Sequence, residues 1–199
     1  MYMNKYILIV DNAESEKHFY FMLTDFLKKN KIKYIEISDI NQLYGVKHLW
    51  NKIFGIILSG SDRRLSNKQC VHDLSKNIAP LNFLDVPVMG ICYGFQILNM
   101  IFGGKIKDMG KTCDKVLDIK KLVDHPILDG LGDTFKARCY NNDNIPVIAQ
   151  PFNLLCKSAK MNQGFFNDEL RLYGFQFHPE SYEDTEVILD NFIHKICKK

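Results

Sequence analysis

Apolar residues in the first half of the chain come in short unbroken runs. Tyr6-Ile-Leu-Ile-Val10 is followed at once by Asp11. A run of that length without polar alternation predicts a strand buried on both faces. Gly55-Ile-Ile-Leu-Ser59 and the stretch from Val86 to Ile91 have the same character. Between these runs the apolar spacing lengthens. From Glu14 to Asn30, Phe19, Met22, Leu23, Phe26 and Leu27 recur at helical intervals among charged residues. Ile32 to Ile37 alternates like a strand. Lys68 to Leu84 predicts a partly helical stretch broken by Pro80. Gly94 to Phe102 predicts a helix. Strand–helix alternation of this kind predicts an α/β fold, with a mostly parallel, doubly wound sheet flanked by helices.

The pattern changes after Gly103-Gly104. Val116 to Ile119, Thr134 to Tyr140, Val147 to Ala149, Leu154 to Ala159 and Leu172 to Phe177 predict strands joined by short loops. They add antiparallel strands in the C-terminal half. A last helix is expected from Thr185 to Lys199. Its Lys195, Lys198 and Lys199 suit the negative end of the helix dipole. With no internal repeat or linker, residues 1–199 are expected to form a single domain.

Composition narrows the classes of function. The chain has 199 residues, 46% of them hydrophobic, and a formal charge of +3. The lysines are dispersed among acidic residues, which speaks against a nucleic-acid or membrane-surface partner. The six cysteines, Cys70, Cys92, Cys113, Cys139, Cys156 and Cys197, show no C-x-x-C spacing. None pairs with a histidine at zinc-finger spacing, so no metal site is expected. Scattered thiols in a chain of this size indicate a reducing compartment. The apolar stretch near the N-terminus is too short for a signal-peptide core, and no run reaches membrane-span length. The expectation is a soluble cytoplasmic protein without a cofactor.

The chemistry concentrates in Gly90-Ile91-Cys92-Tyr93-Gly94. An apolar strand enters this segment and a helix leaves it. Glycines on either side of a nucleophile permit a sharp strand-to-helix turn, as in the Gly-x-Ser-x-Gly elbow of hydrolases. Such a turn lifts the Cys92 sulfur above the carboxyl ends of the strands, where parallel sheets bind ligands. The helix N-terminus there stabilises a thiolate and aims backbone N–H groups at a developing oxyanion.

A cysteine nucleophile calls for a histidine. His18 and His194 fall in helical patterns, His48 and His72 in polar surroundings, and His125 in a turn-like stretch before Pro126. His178 closes the strand-like run Leu172 to Phe177, and Pro179 stops that strand. Glu180 follows directly, so a base and its orienting acid arrive together.

Gly90-Ile-Cys-Tyr-Gly-Phe-Gln96 and Gly174-Phe-Gln-Phe-His-Pro-Glu180 together resemble the paired motifs of the class I, triad-type glutamine amidotransferases. The resemblance extends to Ile56-Ile-Leu-Ser-Gly60, Phe102-Gly-Gly104 and Asn191-Phe192. It implies hydrolysis of glutamine to glutamate and ammonia. It also implies Cys92 as nucleophile, His178 as general base and acid, and Glu180 as the group orienting the imidazole. The backbone N–H of Tyr93 would be one oxyanion donor and the Gly60–Ser61 loop would supply the other. Gln96 would help hold the glutamine. Within the family, Cys-Tyr-Gly and Asp124-His-Pro-Ile-Leu-Asp-Gly130 are most similar to the glutaminase part of GMP synthetase, while His-Pro-Glu-Ser181 resembles the chorismate-using branch as well. An ammonia-using, ATP-dependent synthetase is then implied as a separate partner.

The resemblance has three departures. Ser59-Gly60-Ser61-Asp62 stands where the family usually has Ser-Gly-Gly-Pro, and serine tolerates positive φ less well than glycine. Asn141-Asn142-Asp143-Asn144 stands in the region expected to read Ser-His-Gly-Asp, so Asn141 and Asn142 face the glutamine backbone with different chemistry. Thr112-Cys113-Asp114 replaces a Glu-Tyr-Gly pattern. These changes leave two alternatives: a stand-alone hydrolase of γ-glutamyl amides or peptides, and a catalytically weak regulatory protein retaining the fold.

Overall fold

The structure, a computed structural model, describes residues 5–67 and 74–198. Cys70, His72 and the start of the Lys68–Leu84 stretch lie outside the described residues. Among the described residues, nine strands form one sheet in the order β2-β1-β3-β4-β9-β8-β7-β5-β6. The strands are β1 (Tyr6–Val10), β2 (Tyr34–Ile37), β3 (Ile53–Leu58), β4 (Val88–Ile91), β5 (Lys105–Lys121), β6 (Thr134–Val147), β7 (Asn153–Lys157), β8 (Asn162–Asn167) and β9 (Leu172–Phe175). The helices are α1 (His18–Lys29), α2 (Ile40–Gly45), α3 (Leu74–Phe83), α4 (Tyr93–Ile101) and α5 (Glu186–Asn191). β2, β1, β3, β4 and β9 pair in parallel, and the pairings from β9 through β8, β7 and β5 to β6 are antiparallel.

The unbroken apolar runs occupy the parallel half because both faces of that half are covered. Along β1, Ile7 and Ile9 enter one core, which also contains Leu23, Phe26 and Leu27 of α1 and Ile188 and Leu189 of α5. Leu8 and Val10 point to the other face, with Ala79 of α3 and Phe95 and Leu98 of α4. Burying each such leucine or isoleucine contributes about 1.5–3 kcal/mol. The strand direction places the ends of β3, β4 and β9 side by side, so the loops leaving those ends share one edge.

Several boundaries differ from the sequence pattern. α1 starts at His18 rather than Glu14, because residues 13–17 are held out as a loop. Ala13 N–H donates to Asp11 Oδ1 at 2.9 Å, and Lys17 Nζ donates to Asp11 Oδ2 at 3.0 Å. Pro80 does not break α3, which runs on to Phe83, and Leu84 N–H still donates to Pro80 O at 2.9 Å. One proline this close to the helix end removes only a single donor. β6 runs without interruption to Val147, so no separate strand covers Val147–Ala149. β8 and α2 have no counterpart in the sequence pattern. The end of the last helix is a π-helical turn, Phe192–Ile196. Among the described residues no helix is long and apolar enough to cross a membrane.

Candidate active site

The turn between β4 and α4 is as tight as its glycines suggest. A Cβ on Gly94 would lie 2.2 Å from the carbonyl oxygen of Leu58, and one on Gly90 would lie 2.5 Å from the backbone of Gly94. Only glycine lets α4 start directly against β3 and β4. Cys92 takes the strained position between them, with φ 51° and ψ −100°. For a residue with a side chain this conformation costs about 1–3 kcal/mol. The sheet holds it there: Cys92 N–H donates to Phe175 O at 2.7 Å. The sulfur stands at the N-terminus of α4, where the helix dipole favours negative charge.

His178 follows β9 and is tied to the antiparallel half, its N–H donating to Arg138 O at 2.8 Å. Pro179–Ser181 forms a single 3-10 turn that folds Glu180 back under the ring. His178 Nδ1 and Glu180 Oε1 are 2.7 Å apart, and both side chains are buried. With a carboxylate as acceptor, Nδ1 carries a proton and Nε2 faces the other way. Nε2 is buried with no direct hydrogen-bond partner among the described residues, and the neighbouring acceptor acting on the ring is the Cys92 sulfur. Gly60 marks how closely the two side chains meet. A Cβ there would lie 2.9 Å from His178 Cε1 and 3.6 Å from Cys92 Cβ.

Burial is the largest single influence on the imidazole and disfavours its charged form. Glu180 and Cys92 together outweigh it and push the His178 pKa up to about 10. The pair thus favours the charged form of the ring more than water does.

The other sequence-predicted residues divide into two groups. Ser61, Gln96, Asn141 and Asn142 line, with Cys92, a cavity of about 10 Å³. Gly60 and Ser61 border a second, of about 20 Å³, beside His178. Each has room for about one water. Ser61 is not among the residues with positive φ, and its Oγ accepts from Arg63 N–H at 3.1 Å. Asn141 Nδ2 donates to Asp143 O at 2.8 Å, while its Oδ1 is buried without a partner among the described residues. Asn142 turns its acceptor outward, to Arg64 at 3.2 Å and Thr112 at 2.7 Å. The Tyr93 side chain packs away from the cavity, with Leu65 and Ile97.

The space is small because the segment after β1 closes over it. Phe19 stacks on His178 with ring centroids 3.8 Å apart. Tyr140 Oη donates to Glu16 Oε2 at 3.2 Å. Arg63 grips Glu14 through two hydrogen bonds, at 2.8 and 2.9 Å. Glu14 N–H, Ser15 N–H and Ser15 Oγ all donate to Asp62. Sequence patterning missed this contribution. Phe19 reads as one apolar position of an amphipathic helix, and nothing local marks it as a ring destined for a histidine.

The sequence matches the family described as Glutamine amidotransferase class-I over residues 9–196. The glutamine-hydrolyzing GMP synthase of Dictyostelium discoideum is 34% identical over 155 residues, covering 73% of this chain and 21% of that protein. This chain thus spans about a fifth of that relative's length. In Methanothrix thermoacetophila the relative is one subunit of a glutamine-hydrolyzing GMP synthase. It is 30% identical over 148 residues, covering 73% of this chain and 77% of that subunit. The fold matches the crystal structure of a Thermoplasma acidophilum protein assigned as a GMP synthase subunit. The TM-score is 0.82 at 24% identity, over 98% of this chain and 94% of that one. On the match over nearly its whole length, the chain belongs to the class I glutamine amidotransferase family.

Proposed function

We propose that this chain hydrolyses the side-chain amide of glutamine to glutamate and ammonia through Cys92, His178 and Glu180. The observation that carries the proposal is the meeting of a cysteine on a strained turn with a buried histidine bonded to Glu180 at 2.7 Å. The sulfur attacks the amide carbon, and the N–H groups of Tyr93 and Ser61 stabilise the oxyanion. His178 Nε2–H protonates the departing nitrogen, so ammonia leaves and a thioester remains. The neutral ring then takes a proton from water, and the hydroxide displaces the thiolate to release glutamate.

The ammonia serves a separate ATP-dependent synthetase of GMP synthetase type, and residues 1–199 act as one cytoplasmic glutaminase domain. Relatives that are themselves one subunit of a glutamine-hydrolyzing GMP synthase support this reading. Cavities of about 20 and 10 Å³ do not admit glutamine, so the isolated chain is expected to turn over slowly. A synthetase that binds only the open form would shift the population toward activity.

The test is glutamate release by the purified chain, with and without a synthetase captured from the native source. Activation by the synthetase supports the proposal. A preference for γ-glutamyl peptides over glutamine, unaffected by any partner, would replace it with the stand-alone hydrolase. No release from either substrate under any condition would leave the regulatory alternative.

A further inference from the structure

Behind Cys92 runs a chain of buried amides whose orientation is fixed by one group that can only accept. The carbonyl oxygen of Asp143 receives Asn141 Nδ2 at 2.8 Å and Gln96 Nε2 at 3.1 Å. The second hydrogen of Gln96 Nε2 goes to Gln176 Oε1 at 3.0 Å. A backbone carbonyl has no proton to give, so the Gln96 amide has one orientation available. That orientation in turn sets the Gln176 amide. Its oxygen faces Gln96, and its Nε2 faces the Cys92 sulfur at 3.7 Å. Gln176 is fully buried, with its backbone N–H held by Gln163 O at 2.9 Å.

Resting on the proposed role of Cys92, we infer that Gln176 is a further residue of the nucleophile's machinery, donating to the sulfur and favouring its thiolate. The surroundings of the sulfur single it out. The Tyr140 carbonyl, 3.5 Å away, accepts from the thiol and offers the thiolate nothing. Burial pushes the nearby Cys139 thiol up to about 12, so it stays neutral and adds no charge. Among the described residues, Gln176 is the side-chain amide that donates to the sulfur, and the His178 ring is its neighbour. Gln96, expected to hold substrate, has both amide hydrogens committed inward and acts as the positioning residue for Gln176.

The experiment is the alkylation rate of Cys92 by iodoacetamide in the full chain, with thiolate ultraviolet absorbance as a second readout. Gln176→Met keeps the bulk and removes the donor. Gln176→Glu keeps the acceptor for Gln96 but turns an oxygen toward the sulfur. A lost hydrogen bond to a charged group predicts slowing by about 10- to 100-fold, greater for Glu than for Met. Thermal melting checks that both variants fold. An unchanged alkylation rate and absorbance in folded variants overturns the inference while leaving the glutaminase proposal intact. Where the variants do not fold, the side-chain amide NMR resonances of Gln176 in the wild-type chain decide. They should move in Cys92→Ala, and unmoved resonances overturn the inference. Should the closed site of the wild-type chain exclude iodoacetamide, the thiolate absorbance and the same NMR comparison decide whether Gln176 donates to the sulfur.

Discussion

The two halves of the sheet meet water differently. Every residue of β3, β4 and β9 is buried, whereas β5 carries most of its 17 residues in partial or full contact with solvent. The parallel half is held between helices on both faces, so packing on both sides holds its strand ends. Cys92 and His178 leave two of those ends. The antiparallel half has fewer such constraints, and it contributes a wall rather than the proposed reacting groups. β6 alternates between buried and more exposed positions, and its buried Asn141 and Asp143 reach the site. Chemistry that needs close tolerances sits where packing supplies them.

The largest expected effects come from the two strand-end side chains themselves. Cys92→Ala should abolish glutamate release. His178→Ala should lower it by on the order of 10⁴-fold or more, because members of such a unit fail together. Glu180→Gln should cost less if the carboxylate only orients the ring. Steady-state assays with the activating partner present would check all three. A fully active His178→Ala would break the assignment of the reacting groups to the parallel half.

Next in size is Ser61→Gly. Ser61 follows β3 and avoids positive φ in this structure. A flip that aims its N–H at the oxyanion is easier for glycine, and one oxyanion donor is worth about 10²–10³ in rate. The basal rate should therefore rise, up to that ceiling. An unchanged or lower rate would reject loop geometry as the limiting feature.

The pH dependence of stability follows from the His178 pair. Its pKa is raised from 6.5 to about 10 in the folded chain. The stabilisation is fully present below pH 6.5 and is lost as pH rises through about 10. Denaturant midpoints should fall across that window, and His178→Gln should flatten the fall. A wild-type profile without slope there would argue against the charged pair.

The same contrast governs what the sequence discloses. Tyr6–Val10 and Gly90–Gly94 are legible because burial on both faces demands unbroken apolar residues, and a tight turn demands glycine. β5 is not legible beyond Val116–Ile119, since residues such as Lys107, Asp108, Lys111 and Asp114 satisfy a solvent-facing strand without any period-two signal. At the site, Cys92 and His178 carry local marks. Gln176 stands in the same motif as His178, yet its direction depends on Gln96 and Asp143, far away in the chain. Phe19 and Arg63 act through partners that only the fold brings near.

The smallest effects should come from paired stability measurements across the two halves. Gly94→Ala adds one carbon at the crowded start of α4, 2.2 Å from the Leu58 carbonyl oxygen. That oxygen belongs to a buried strand fixed on both sides, so it cannot move without disturbing β1 or β4. Overpacking of this kind costs about 1–3 kcal/mol, or more where backbone must shift. It should lower the denaturant midpoint with no change in the slope of the transition. Lys115→Ala removes a far larger side chain from exposed β5, opposite Cys139 on β6. There the backbone ladder persists and no core contact is lost, so the midpoint should stay within experimental error. Equal losses from the two changes would mean that the antiparallel ribbon is as tightly constrained as the parallel half. The placement of the reacting groups would then need another cause.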